Sequence, residues 1–217
     1  YTPTHTLSLH DALPILKGRA IYETARSGAI TNRLEALNEA EGILEKVIEL
    51  EEDNVEAYWY LSRAKVIKGS IMASRGRLDE KSKSVQAAVE LLRNSLEHTG
   101  EYPQGHINLL RAKLESFSES AGDSLAELEA DYNELVEKFP KEGDVYAARA
   151  RYYSMRGHKY LDKAIDSAMR AIELESDNLE HAYLAAHLHF IKYSIYDDPS
   201  EFEKSTAIIQ ESLEKPA

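Results

Sequence analysis

The chain has 217 residues, 38 acidic against 26 basic side chains, a formal net charge of −12 and no cysteine. No apolar run approaches the roughly 18 residues that span a bilayer, disulfide and thiolate chemistry are excluded, and the excess of acid argues against general binding to nucleic acid or anionic membranes. A cysteine-free composition suits the cytoplasm and does not exclude a periplasm.

Residues 6–15, TLSLHDALPI, resemble the translation of a sequencing-library adapter, so residues 1–15 are set aside as an artefactual or disordered leader. The chain is then expected to be a fragment of an environmental gene, truncated at both ends. Helical periodicity begins at residue 16 and continues to the end in pairs. The first pair covers 16–27 and 33–51, with Asn32 and Glu35 placed as a capping box. The second covers 55–76 and 80–98, with Gly69 available as an early stop and residues 69–83 extending past the usual turn, either as an elongated hairpin tip or as a projecting second contact site. A third pair covers 103–118 and 124–138, Ser124 and Glu127 forming another capping box. A fourth covers 144–156 and 159–174. The fifth covers 179–195 and 200–214, where Asp197-Asp198-Pro199 makes the turn and Ser200 with Glu203 caps the last helix.

The stretch VIELEEDNVEAY, starting at Val47, returns as AIELESDNLEHAY, starting at Ala171, with His181 as one extra residue. Such self-similarity indicates internal duplication. Physically it is a helix end and a helix start, with Asp53 and Glu56, then Asp177 and Glu180, spaced as capping boxes. Apolar stripes such as Leu37, Ala40, Leu44, Val47 and Ile48, or Val85, Ala88, Leu92, Ser95 and Leu96, cannot be buried within one hairpin. Each hairpin must cover its neighbour. Helix 200–214 still shows Phe202, Ala207, Ile208, Ile209 and Leu213, so the array is expected to continue beyond it.

Three further segments carry a family resemblance: Tyr58, Leu61, Ser62 and Gly69; Tyr146, Ala150, Tyr153 and Gly157 followed by Ala164, Ala168 and Ala171; and Leu128, Tyr132 and Leu135 closed by Phe139-Pro140. At these intervals the chain resembles the tetratricopeptide-repeat (TPR) proteins, whose unit is about 34 residues. Lys65 stands where an aromatic is usual, and Glu52 and Ser176 where Pro is usual. The resemblance implies an all-α fold, an α-α superhelix (TPR-like solenoid) of about five helical hairpins near 16–54, 55–102, 103–143, 144–178 and 179–216. It also implies a concave groove lined by the first helix of each pair.

No phosphate loop, nucleophile elbow, zinc-protease helix or calcium loop is present, so no catalytic role and no cofactor are expected. Among the histidines, His187 and His189 are two apart and point to different sides of a helix, and His181 is too far along to pair with them; no metal site is expected. One constellation recurs. Arg63, Arg111 and Arg151 each follow an aromatic or histidine by five residues, with Arg19 as a further instance. The resemblance turns these positions toward the groove, beside Trp59, Ile107, Val66, Leu114 and Tyr183. Guanidinium groups suit carboxylates through paired hydrogen bonds, which points to a protein or peptide partner of acidic character. Simple pairing of each Arg with a Glu of an adjacent helix is the competing account, and Arg149 competes with Arg151 for the register. Lys and Asn that grip chaperone C-termini in some TPR proteins are missing, Trp59, Ile107 and Ala147 standing in their places. Three functions stay open: a protein-interaction scaffold, the substrate-recruiting repeats of a larger enzyme such as a glycosyltransferase, or a structural assembly module.

Overall fold

The computed structural model describes residues 9–28, 31–100, 102–116 and 122–214. Among them are ten α-helices and no strand: α1 (Leu9–Ser27), α2 (Arg33–Leu50), α3 (Val55–Ser74), α4 (Leu78–Thr99), α5 (Pro103–Ser116), α6 (Gly122–Lys138), α7 (Gly143–Met155), α8 (Leu161–Leu174), α9 (Leu179–Tyr196) and α10 (Pro199–Glu214). A single 3₁₀ turn (His158–Tyr160) leads into α8. The expected helices are therefore all present, most within two residues of their ends. The exception is α1, which begins before the expected start at residue 16 and carries Ile15 into the core.

The chain forms two compact units, one up to residue 118 and one from 119 onward. In the first, α1 packs on α2 and α3 on α4, while contacts between α2 and α3, α4 and α5, α1 and α3, and α3 and α5 join the hairpins. The second repeats the scheme, with α7 on α8, α9 on α10, α8 on α9 and α7 on α9. Contacts between every second helix are what stacked hairpins require, because each stripe finds its cover on the next hairpin. Tyr22, Leu37, Ala40, Leu44, Leu61 and Ala64 form the first core, each at most 1% exposed. In the second unit the small residues Ala147, Ala150, Ala164, Ala168 and Ala171 are fully buried and let helix axes approach.

Of the Asp53-Asn54 pair expected to cap, and its repeat Asp177-Asn178, it is the Asn that makes the turn. Asn54 Oδ1 accepts from the Ala57 N–H at 2.9 Å while its Nδ2 donates to Glu51 Oε2 at 2.6 Å. Asn178 does the same with the Glu180 N–H at 3.1 Å and Glu175 Oε2 at 3.1 Å. An amide can donate and accept at once, so it joins the end of one helix to the start of the next; an aspartate, which only accepts, cannot. Counted from Asn54 and Asn178 the two copies align without an insertion, so His181 replaces Ala57 rather than being added. Other expected caps are also rearranged. Asn32 bonds the Glu35 side chain instead of a backbone N–H. Asp198 Oδ1 accepts from the Ser200 N–H at 3.0 Å, so the cap of α10 is Asp198 and not Ser200. The Ser124 box lies outside the described side chains.

Gly69 is not a stop. It is buried within α3 at the crossing with α4, where an added Cβ would lie 3.1 Å from Val85 Cγ2 and 3.3 Å from the Lys81 carbonyl. Residues 69–83 form an elongated hairpin tip and not a projecting arm: both helices continue to a short turn at Gly76, whose φ of 75° favours glycine. Lys65, in an aromatic's usual place, reaches Glu45 at 3.1 Å and Glu41 at 3.8 Å on α2, and Lys68 reaches Glu41 at 3.0 Å. Electrostatic pairing thus replaces ring packing between α2 and α3.

Between α9 and α10, Glu201 is 3% exposed and is held by Lys204 at 2.9 Å, Lys192 at 3.3 Å and His189 Nδ1 at 2.5 Å. Burial pushes its carboxyl pKa up, but the hydrogen bonds from Lys204, His189 and Lys192 outweigh it and hold the group at about 2. The folded value lies below the unfolded one, so the contribution to stability is present near neutrality and is lost as pH falls toward the folded pKa. Denaturant titrations should show stability falling between about pH 5 and about pH 2, and Glu201→Gln should flatten that fall while costing about 2 kcal/mol at pH 7. Gly69→Val should destabilise by about 2 kcal/mol through overpacking, read as a lower midpoint with an unchanged denaturant slope.

Candidate functional site

Counting from the first residues of α3, α5, α7 and α9, the ninth residue is Arg63, Arg111, Arg151 and His187 in turn. Arg149 is two places earlier, and it donates to Ser167 Oγ at 3.2 Å and Asn133 Oδ1 at 3.3 Å, a structural bridge among α7, α8 and α6. His187 is the member of the set that sequence spacing missed. Its ring stacks on Tyr183, centroids 5.9 Å apart, as Arg63 lies 4.9 Å over the Trp59 ring four residues earlier on α3. The fifth and ninth places of α3 and α9 therefore hold an aromatic beside a cationic or titratable group.

Within the first unit, Arg63 and Arg111 line one cleft of about 160 Å³ together with Tyr22, Ser62, Val66, Ile67, Leu92, Asn108, Ala112 and Glu115. The wall is built from α1, α3, α4 and α5. Tyr22, fully buried, offers no surface but accepts the Arg63 Nε–H on its hydroxyl at 2.8 Å. Together with the Trp59 face this fixes the guanidinium, and among the described residues Arg63 meets no carboxylate. Asn108 is 6% exposed; its Oδ1 accepts from Gln104 at 3.2 Å, while its Nδ2 is buried with no hydrogen-bond partner among the described residues. A buried donor left unpaired costs about 1–3 kcal/mol, and this one sits on a cleft wall.

The remaining expected residues fall in different environments. Val66 is half-buried and lines the same cleft, whereas Ile107 is fully buried and has no surface to offer a ligand. Trp59 and Leu114 are half-buried. Arg151, half-buried on α7, and Tyr183, 65% exposed on α9, belong to the second unit. Arg19 follows the competing account: its Nη1 lies 3.4 Å from Glu56 Oε1, both side chains about half exposed. His181, His187 and His189 do not converge. His189 bonds Glu201, while His181 is buried beside Asp144 and Glu175, with which it forms the one group of donors among the described residues close enough for a metal ion.

In the second unit Arg156 is a structural knot. Its guanidinium lies 4.2 Å over the Tyr160 ring and bonds Glu129 at 2.5 Å, the Tyr152 hydroxyl at 2.9 Å and the Tyr160 hydroxyl at 2.8 Å. Burial pushes the Tyr152 hydroxyl up to about 12, so it stays a proton donor to the Leu125 carbonyl. No described helix is long and apolar enough to cross a membrane.

No protein-family model and no curated protein matches the sequence. Solved structures do. TTC0263, a thermophilic TPR protein of Thermus thermophilus, is 19% identical and superposes with a TM-score of 0.62 over 94% of this chain and 90% of its own. MamA 41-end from Desulfovibrio magneticus RS-1 is 14% identical, with a TM-score of 0.49 over 92% and 98%. YrrB, described as a TPR protein with an unusual peptide-binding site, is 14% identical, with a TM-score of 0.44 over 89% and 83%. With TTC0263 as the structural match, the chain has the all-α, α-α superhelical fold of the tetratricopeptide-repeat proteins.

Proposed function

We propose that this chain is a protein-interaction scaffold that takes an extended acidic peptide segment into the cleft among α1, α3, α4 and α5. The observation that carries the reading is the meeting of Arg63 and Arg111 on one cleft whose wall also presents the unpaired Asn108 amide. Arg63 is held from behind by Tyr22 and Trp59, so it is oriented before a ligand arrives, and less side-chain entropy is lost on binding. A carboxylate can bridge two guanidinium groups through paired hydrogen bonds. The Asn108 Nδ2 can donate to a peptide carbonyl, and Val66, Ile67 and Leu92 supply an apolar floor for a neighbouring aliphatic side chain.

At about 160 Å³ the cleft is smaller than the roughly 300–1,000 Å³ usual for a small-molecule ligand. It suits one or two side chains of a longer chain rather than a whole cofactor. Glu115 on the same wall works against more than a local concentration of negative charge and favours a partner with a single carboxylate at this point.

The test is fluorescence anisotropy with a labelled decapeptide carrying spaced glutamates, against the same peptide with glutamines. The acidic peptide should bind, the neutral one should not, and affinity should fall as salt rises. Arg63→Glu with Arg111→Glu should weaken binding at least about tenfold, equivalent to about 1.4 kcal/mol. Equal binding of both peptides, or an unaffected double variant, would leave a structural assembly module as the account of this chain. Tyr22→Phe should cost about 1 kcal/mol of stability in chemical denaturation and release the Arg63 side chain, reducing peptide affinity without removing charge.

A further inference from the structure

The turn between α8 and α9 carries a group that its duplicate between α2 and α3 lacks. Both turns clasp a Glu at the end of one helix to an Asn at the start of the next, Glu51 to Asn54 and Glu175 to Asn178. Three residues past the Asn, the first copy has Ala57 and the second has His181, each at most 1% exposed. The clasp forms without an imidazole in the first copy, so capping does not account for His181.

The His181 ring is fixed between two carboxylates of different kinds. Its Nε2 is 3.1 Å from Asp144 Oδ1, with the Asn178 amide further off at 3.4 Å. Donation of the Nε2–H to Asp144 leaves the lone pair on Nδ1. That Nδ1 is buried, has no hydrogen-bond partner among the described residues, and faces Glu175 Oε2 at 3.6 Å. Two electron-rich acceptors thus face each other. Glu175 is itself pinned: its Oε1 accepts the Gly143 N–H at 2.8 Å, and a Cβ added at residue 143 would come within 2.7 Å of its Cδ. Each of its oxygens accepts one hydrogen bond and keeps a further lone pair.

We propose that Asp144, Glu175 and His181 form a binding site for a divalent transition-metal ion of the zinc class. His181 Nδ1 and Glu175 Oε2 are the direct ligands, and Asp144 orients the imidazole and adds a second negative charge. Zinc–nitrogen and zinc–carboxylate bonds of about 2.0–2.2 Å place adjacent donors of a tetrahedral ion about 3.4 Å apart. The observed 3.6 Å separation meets that distance with a shift of a few tenths of an ångström, and a ligand-capable atom of each of the three side chains lies within 4.8 Å of the others. A nitrogen and oxygen set without sulfur suits Zn²⁺, Co²⁺ or Mn²⁺ rather than a thiophilic ion. The Glu175 side chain is 32% exposed, which leaves an entry path, and water or a side chain from a bound partner completes the coordination. The ion ties the start of α7 to the end of α8 and the start of α9, so loading it stabilises the packing of successive hairpins.

The test uses the chelator-treated chain. Zn²⁺ titration calorimetry should give one equivalent bound; Co²⁺ should develop visible absorption distinct from its aqueous spectrum and lose it to Zn²⁺; and Zn²⁺ should raise Tm. Asp144→Asn, at an exposed position, should weaken binding about tenfold, and Glu175→Gln at least as much. His181→Ala, which restores the residue of the first copy, should abolish the Co²⁺ signal and the Tm shift while the far-ultraviolet circular dichroism stays helical. Glu203→Gln, on an exposed acid of α10, should change none of these. Absence of Zn²⁺ uptake, or uptake that all three site variants retain, would overturn the proposal, the latter showing adventitious binding to the acidic surface only.

Discussion

Everything in this molecule depends on the fact that a two-helix hairpin cannot cover its own apolar stripe. Leu37, Ala40 and Leu44 on α2 share one core with Tyr22 and Ala25 on α1 and with Ala57, Leu61 and Ala64 of the next hairpin on α3, and α7, α8 and α9 pack in the same order. The approach is set by small side chains at the crossings. Where a backbone itself is the neighbour, as at Gly69 against the Lys81 carbonyl, even a methyl group is tight. Interiors packed to this density leave little freedom for the helices to shift.

Polar side chains then specify how one hairpin follows another. The Glu–Asn clasp appears at both copies of the duplicated turn, and in each the Asn amide serves the two helix ends at once. Elsewhere the fittings are individual. Lys65 and Lys68 converge on Glu41, Arg156 gathers Glu129 and two tyrosines, and Glu201 draws together His189, Lys192 and Lys204. A carboxylate as buried as Glu201 is tolerable only with such company, because removing its hydration has to be offset by several charged donors.

The ninth place of each first helix shows how one register position acquires different chemistry. Arg63 is fastened by a tyrosine hydroxyl and a tryptophan face and opens onto a cleft shared with Arg111. His187 at the same place stacks on Tyr183 in the open. The backbone repeats, while the environment of each copy depends on which side chains the neighbouring helices contribute. In the same way the α8–α9 turn carries a buried imidazole where its duplicate has Ala57, and with Asp144 and Glu175 that imidazole makes a cluster of metal-ligand character.

The order and ends of the helices, the alternation of stripes, the duplication and the helical-hairpin fold were legible in the chain itself, since all of them follow from local periodicity and from turn and cap chemistry. So was the recurrence of Arg63, Arg111 and Arg151. Local pattern could not tell a groove residue from a core residue: Ile107 and Trp59 occupy the same helical place, yet one is sealed and the other half-open. Nor could it show which of Asp53 and Asn54 caps the helix, that the Asn amide also reaches back to Glu51, that Gly69 marks a helix crossing, or that Arg19 finds Glu56. The cleft and the Asp144–Glu175–His181 group are products of tertiary structure alone. Their members sit on different helices and come together only when those helices pack, and whether a donor is left without a partner depends on everything that packs around it.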